Sequence, residues 1–158
     1  MSRADDIVSA RLRQQAEAEK QAGIERLARQ KAHYSGRIET DLPPLLDSLA
    51  SLGYPDAVLL PVSVGKTMFG TPKRPIDKAA WEVYRQKKAE VPDACWYVLS
   101  EGLFVWTRSI VAPTGGLRAV ALGQLIEGFA DNDRQQESCM EVLRGIADGI
   151  KELRARYD

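Results

Sequence analysis

The segments CWYVLS, residues 95–100, and LFVWTR, residues 103–108, flank Glu101-Gly102, and their reading decides the fold class. Two runs rich in β-branched and aromatic residues around a glycine that can adopt positive φ predict an antiparallel β-hairpin. A two-residue loop sets Leu99 opposite Phe104 and Tyr97 opposite Trp106 on one side. It sets Val98 opposite Val105 and Trp96 opposite Thr107 on the other. Both faces are then largely apolar, whereas a half-solvated antiparallel strand alternates cleanly. The hairpin is expected either to lie inside a sheet covered on both sides or to reserve one face for a partner.

The flanking sequence supplies the other elements. Ala57 to Val64 reads as a strand in which Pro61, lacking a ladder donor, implies an edge or a bulge. Lys66 to Phe69 is expected to return antiparallel, and Leu117 to Leu122 to add another strand. Upstream, Thr40 and Asp41 are capping types, Pro43 and Pro44 suit a first turn, and Gly53 marks a stop, so a helix is expected there with Leu42, Leu45, Leu46, Leu49 and Leu52 on its core face. A further helix is expected over 77–90, with Asp77 as N-cap and Pro92 closing it. The last helix is expected from Asp131-Asn132-Asp133 to about Arg156, with Met140, Leu143, Ile146, Ile150, Leu153 and Tyr157 as its seam. Gly145 and Gly149 cost about 1 kcal/mol each in a helix interior, which close approach to a sheet or another helix would offset.

Residues 5–37 read as one long polar helix, free of proline and containing most of the seven alanines found in residues 1–37. Its apolar stripe is weak from Val8 to Ile24 and firms at Ile24, Leu27, Tyr34 and Ile38, with a coiled-coil-like spacing. Such a helix is expected to project or to pair with another copy or a partner. The chain therefore divides into an extended N-terminal helix, residues 1–38, and an α+β domain, residues 39–158. In that domain a small antiparallel sheet of four or five strands packs against helices. This element order resembles the α/β secretion chaperones in order alone, and no residue roles are carried over from it.

With 44% hydrophobic and 28% charged residues, the 158-residue chain has a globular composition. No run approaches 18 consecutive apolar residues, and residues 1–6 lead into polar sequence without a signal-type apolar core. A cytoplasmic protein with no membrane partner is the expectation. The 22 Lys+Arg balance the 22 Asp+Glu, but unevenly. Residues 38–65 carry four acids and no base. Residues 66–88 carry seven bases (Lys66, Lys73, Arg74, Lys78, Arg85, Lys87, Lys88) against Asp77 and Glu82. On the expected third helix Lys78, Trp81, Arg85 and Lys88 share a face, with Lys66, Lys73 and Arg74 beside it. This is the candidate contact surface, on which cations meet phosphates while Trp81 or Phe69 stacks on a base. The same surface suits an acidic protein partner, and a plain solvated face is the simplest alternative.

Enzyme chemistry finds no constellation. Gly65-Lys66-Thr67 lacks the glycine of a phosphate-binding loop, since Leu60 stands five residues earlier. One histidine, His33, cannot supply a multi-histidine metal site, and Cys95 and Cys139 read as small buried hydrophobes. No cofactor or metal is expected. The sequence points to a non-enzymatic protein-binding or regulatory protein, adaptor- or chaperone-like and homodimeric. Its alternative is a nucleic-acid-binding accessory protein using the basic face of residues 66–88.

Overall fold

The computed structural model describes residues 2–71, 73–87, 92–108, 115–128 and 136–158. It is an α+β fold in which a curled five-stranded antiparallel sheet packs against two long helices. Helix α1 (Arg3–Ser51) is followed by β1 (Val58–Val62), β2 (Ile76–Gln86), β3 (Ala94–Leu99), β4 (Phe104–Thr107), β5 (Ala119–Val120), α2 (Leu122–Gly128) and α3 (Gln136–Tyr157).

The two helices expected before residue 53 are one. Ser2 caps the start, its Oγ accepting from the Asp5 amide at 3.3 Å, and the helix runs unbroken through Pro43 and Pro44. These prolines are compatible with a first helical turn, but packing against α3 on both sides of them keeps the helix continuous. Arg37 meets Asp148 at 2.9 Å and Asp41 meets Arg154 at 2.7 Å. As expected, Gly53 ends the helix, at φ +74°. From about Leu27 onward α1 and α3 run side by side in the same direction. Ile38, Leu45 and Leu49 of α1 and Leu143, Ile146, Ile150 and Leu153 of α3 lie in one core.

The sheet follows chain order, β1-β2-β3-β4-β5. β1 is an edge strand, in keeping with Pro61. Its far end curls round to the residues before β5: the Leu117 amide donates to the Pro61 carbonyl at 2.7 Å, and the Ser63 amide donates to the Leu117 carbonyl at 2.8 Å. Curling divides the apolar side chains between two cores. Trp81, Val83, Trp96, Val98 and Phe104 face the helices, and Val62, Ala80, Leu99, Val105 and Leu117 fill the inside of the curl.

Residues 76–86 form a strand rather than the expected helix. Ala80 and Trp81 are buried side by side because the sheet is covered on both faces, and a β-bulge between Glu82 and Tyr84 brings Val83 and Tyr84 to the same helix-facing core, so the alternation that marks a strand is lost. Ladder pairing on both flanks overrides the helix propensity of its Lys, Arg, Gln and Glu residues.

The hairpin forms, but its loop has three residues. The Leu99 amide donates to the Leu103 carbonyl at 2.8 Å, the Gly102 amide donates to the Leu99 carbonyl at 2.9 Å, and Gly102 has φ +84°. The extra residue slides the register by one, pairing Trp96 with Trp106 and Val98 with Phe104. Both hairpin faces are thus covered within the chain, one by helices and one by the curl. Of the two arrangements expected, the sheet covered on both sides is the one found and the face reserved for a partner is not, although Trp106 stays 47% exposed with Arg108 over its ring.

Leu117 to Leu122 yields only the two-residue β5 before α2 begins, because Leu122 starts a helix. Residues 66–69 form a turn instead of the expected return strand. The Asp131-Asn132-Asp133 cap lies outside the described residues, and α3 is described from Gln136.

Candidate interaction surface

The bulge and the ladder disperse the residues expected to share one basic face. Lys78, near the start of β2, is ion-paired with Glu101 of the β3–β4 loop. Trp81 is 3% exposed and inside the core, its Nε1 donating to the Pro55 carbonyl at 2.8 Å. Arg85 sits at the other end of β2, about 23 Å along the strand from Lys78. It is held by Glu82 at 2.7 Å and Asp93 at 3.6 Å. Lys88 lies outside the described residues. The stacking platform is therefore buried, and two of the three cations assigned to that helical face are neutralised within the chain. The cause is the strand geometry, which replaces the shared helical face.

What remains is the β1–β2 connection. Lys66, Lys73 and Arg74 are exposed there, and among the described residues none has a carboxylate within ion-pair distance. The connection is a small hydrogen-bonded hairpin. The Lys73 amide donates to the Gly65 carbonyl at 3.0 Å, the Thr67 amide to the Thr71 carbonyl at 2.8 Å, and the Gly70 amide to the Thr67 carbonyl at 2.9 Å. The last two bonds, with Gly70 at φ +78°, repeat the pattern that closes the β3–β4 turn. In that turn Ser100 and Glu101 hold the two positions before glycine, the polar types turns favour. In this one the same positions hold Met68 and Phe69, which are 91% and 88% exposed.

Two large apolar side chains at the apex of an ordered turn, with Lys66 and Lys73 two and four residues away, are the residues that the contact-surface expectation underweighted. The signal was present in Gly65-KTMF-Gly70, two glycines bracketing a turn with bulky apolar residues in its centre.

A second feature is the open end of the curl, a cleft of about 670 Å³ lined by Leu60, Arg85, Asp93, Cys95, Tyr97 and Thr107 among others. Burial pushes the Cys95 thiol above its ordinary range, against the opposing pull of the Arg85 guanidinium. Burial likewise raises the Tyr97 hydroxyl. A protonated thiol beside an arginine already engaged by two carboxylates is a poor nucleophile at neutral pH. His33 packs edge-on to Tyr34 at 5.2 Å on α1, and no cluster of three potential metal ligands occurs among the described residues. Among the described residues no helix is long and apolar enough to cross a membrane.

The N-terminal half of α1 is the other uncovered surface. Residues 2–22 are exposed throughout, Ile7, Val8 and Leu12 included, and Ile24 is half exposed. No family model matches the chain, and no curated protein or solved structure matches it either.

Proposed function

We propose that this chain is a non-enzymatic, homodimeric protein-binding module, adaptor-like in role, that presents the Met68–Phe69 turn to its partner. The exposure of those two side chains carries the reading. Monomeric surfaces tolerate scattered apolar residues, but adjacent bulky ones on a hydrogen-bonded apex, in a turn type this chain elsewhere fills with Ser and Glu, fit a contact element. Aromatic and methionine side chains are enriched at interface cores. Lys66, Lys73 and Arg74 favour a partner whose apolar pocket is rimmed by carboxylates. The free thiols of Cys95 and Cys139 support a cytoplasmic setting.

The test is affinity capture with the full chain and with a Met68→Ser/Phe69→Ser variant, read by mass spectrometry. A partner retained by the native chain and lost by the variant is expected. An identical capture profile for the two would refute the role of the turn.

The same three cations, with Phe69 as stacking group, favour the second reading, a nucleic-acid-binding accessory protein. Three phosphate contacts to a single strand give a slope of about −2 in log K against log salt. A slope of zero excludes that reading.

A further inference from the structure

We propose that the projecting half of α1 is an antiparallel dimerisation arm, lying along the same segment of a second copy with the two-fold axis passing between residues 17 and 18. This rests on the homodimeric reading above and names its surface and orientation. Val8, Leu12, Ala16, Glu19, Gly23 and Leu27 fall on one stripe, spaced 4, 4, 3, 4 and 4. Continued at 30, 34 and 38, it is an 11-residue repeat, which keeps the stripe facing a neighbouring helix with a slight right-handed supercoil. Further along, the stripe is the face α1 buries: Tyr34 is partly covered, and Ile38, Leu45 and Leu49 are fully buried. The N-terminal stretch of the same face is bare, and a polar helix of this length is marginal in water without a packing partner.

The spacing reads the same in both directions, so an antiparallel copy meets it residue for residue. Val8 falls opposite Leu27, Leu12 opposite Gly23, and Ala16 opposite Glu19, the self-complementarity that an isologous interface requires. Nothing lies within 4 Å of the position a side chain at Gly23 would take, which leaves room for Leu12 to seat.

Charge selects the direction. The first turn of α1 carries Asp5 and Asp6. In the antiparallel pair they land beside Arg26 and Arg29. There an open groove of about 620 Å³ between α1 and α3 is lined by Leu27, Tyr34, Met140, Glu141 and Arg144, besides Arg26. Ile7 and Val8 meet its apolar residues and the two aspartates its arginines. Glu141, which faces the Tyr84 hydroxyl at 3.4 Å, is the acid on its rim. A parallel pair would instead bring Asp5 and Asp6 against their own copies.

Sedimentation equilibrium on the full chain, up to about 100 µM, measures the dimer. Leu12→Asp is expected to weaken it at least about tenfold while leaving the core of the monomer intact, since Leu12 is exposed in the monomer. Asp5→Lys/Asp6→Lys is expected to weaken it, and adding Arg26→Glu/Arg29→Glu to restore it. Spin labels at Arg3→Cys, in a Cys139→Ala background, are expected about 45 Å apart along the helix pair, against roughly 10–15 Å for a parallel pair. A dimer indifferent to Leu12→Asp, a lack of rescue, or a short label distance overturns the arm and leaves the homodimer intact. A monomer at every concentration overturns both, while partner capture by the Met68–Phe69 turn stands or falls separately.

Discussion

Gly149 of α3 lies flush against the backbone of Val83, the residue at the bulge of β2, and a methyl group at that glycine would overlap the Val83 carbonyl. One turn earlier, Gly145 stands in the same relation to the Tyr84 ring. The pair lets α3 settle directly onto the bulged strand, and this close approach offsets the helix propensity the glycines forfeit. Gly149→Ala is expected to lower stability by about 2–3 kcal/mol, because backbone must move, and Gly145→Ala by less, because a ring can turn aside. Urea denaturation monitored by tryptophan fluorescence distinguishes the two.

Pro43 lies inside α1, where its ring nitrogen cannot donate to the Glu39 carbonyl, and its side chain is exposed. Replacing it restores a donor and removes a steric conflict inside a helix. Pro43→Ala is expected to stabilise the fold by about 1–3 kcal/mol, observed as a higher denaturant midpoint with an unchanged slope.

The helix-facing core depends on side chains that the N-terminal helix sends across to α3 and the sheet. Ile38→Ala removes a fully buried side chain and is expected to cost about 2–5 kcal/mol. Leu12→Ala, on the exposed part of the same helix, is expected to leave the stability of the monomer within about 0.5 kcal/mol. Thermal denaturation at low protein concentration makes the comparison.

Burial raises the pKa of Cys95, Cys139, Tyr84 and Tyr97, so the folded state holds these protons more tightly than the unfolded chain does. The stability this contributes is complete below the ordinary values of 9.0 for the thiols and 10.0 for the phenols, and is lost as pH rises through the raised ones. The denaturant midpoint is expected to hold through neutrality and fall above about pH 9, more shallowly in Cys95→Ala. Alkylation of Cys95 at neutral pH is expected to be slower than that of a free thiol.

The fold class was legible because it rests on local signals. CWYVLS and LFVWTR are strands in any context, Gly53 stops a helix, and the seam from Leu143 to Leu153 has helical spacing throughout. The register of the hairpin was not, because Ser100 gives no sign of whether it belongs to the strand or to the loop. Residues 76–86 misled because a sheet covered on both faces buries Ala80 beside Trp81, and because the bulge at Val83 breaks the alternation that would have marked a strand. Pro43 and Pro44 misled in the other direction, since Ile38 before them and Leu45 and Leu49 after them share one core with α3, which holds the helix together across them. The candidate surface fared in the same way: its exposed loop cations were readable from composition, while the fates of Lys78, Trp81 and Arg85 depend on long-range partners that no local window contains.

Because α1 is a single rod of 49 residues, about 70 Å long, its free end and its anchored end cannot reorient independently. Whatever grips the tip is held at a fixed reach and bearing from the Met68–Phe69 turn. The molecule is thereby a caliper, and shortening α1 by whole turns would bring its two jaws together in steps of about 5.4 Å without altering either one.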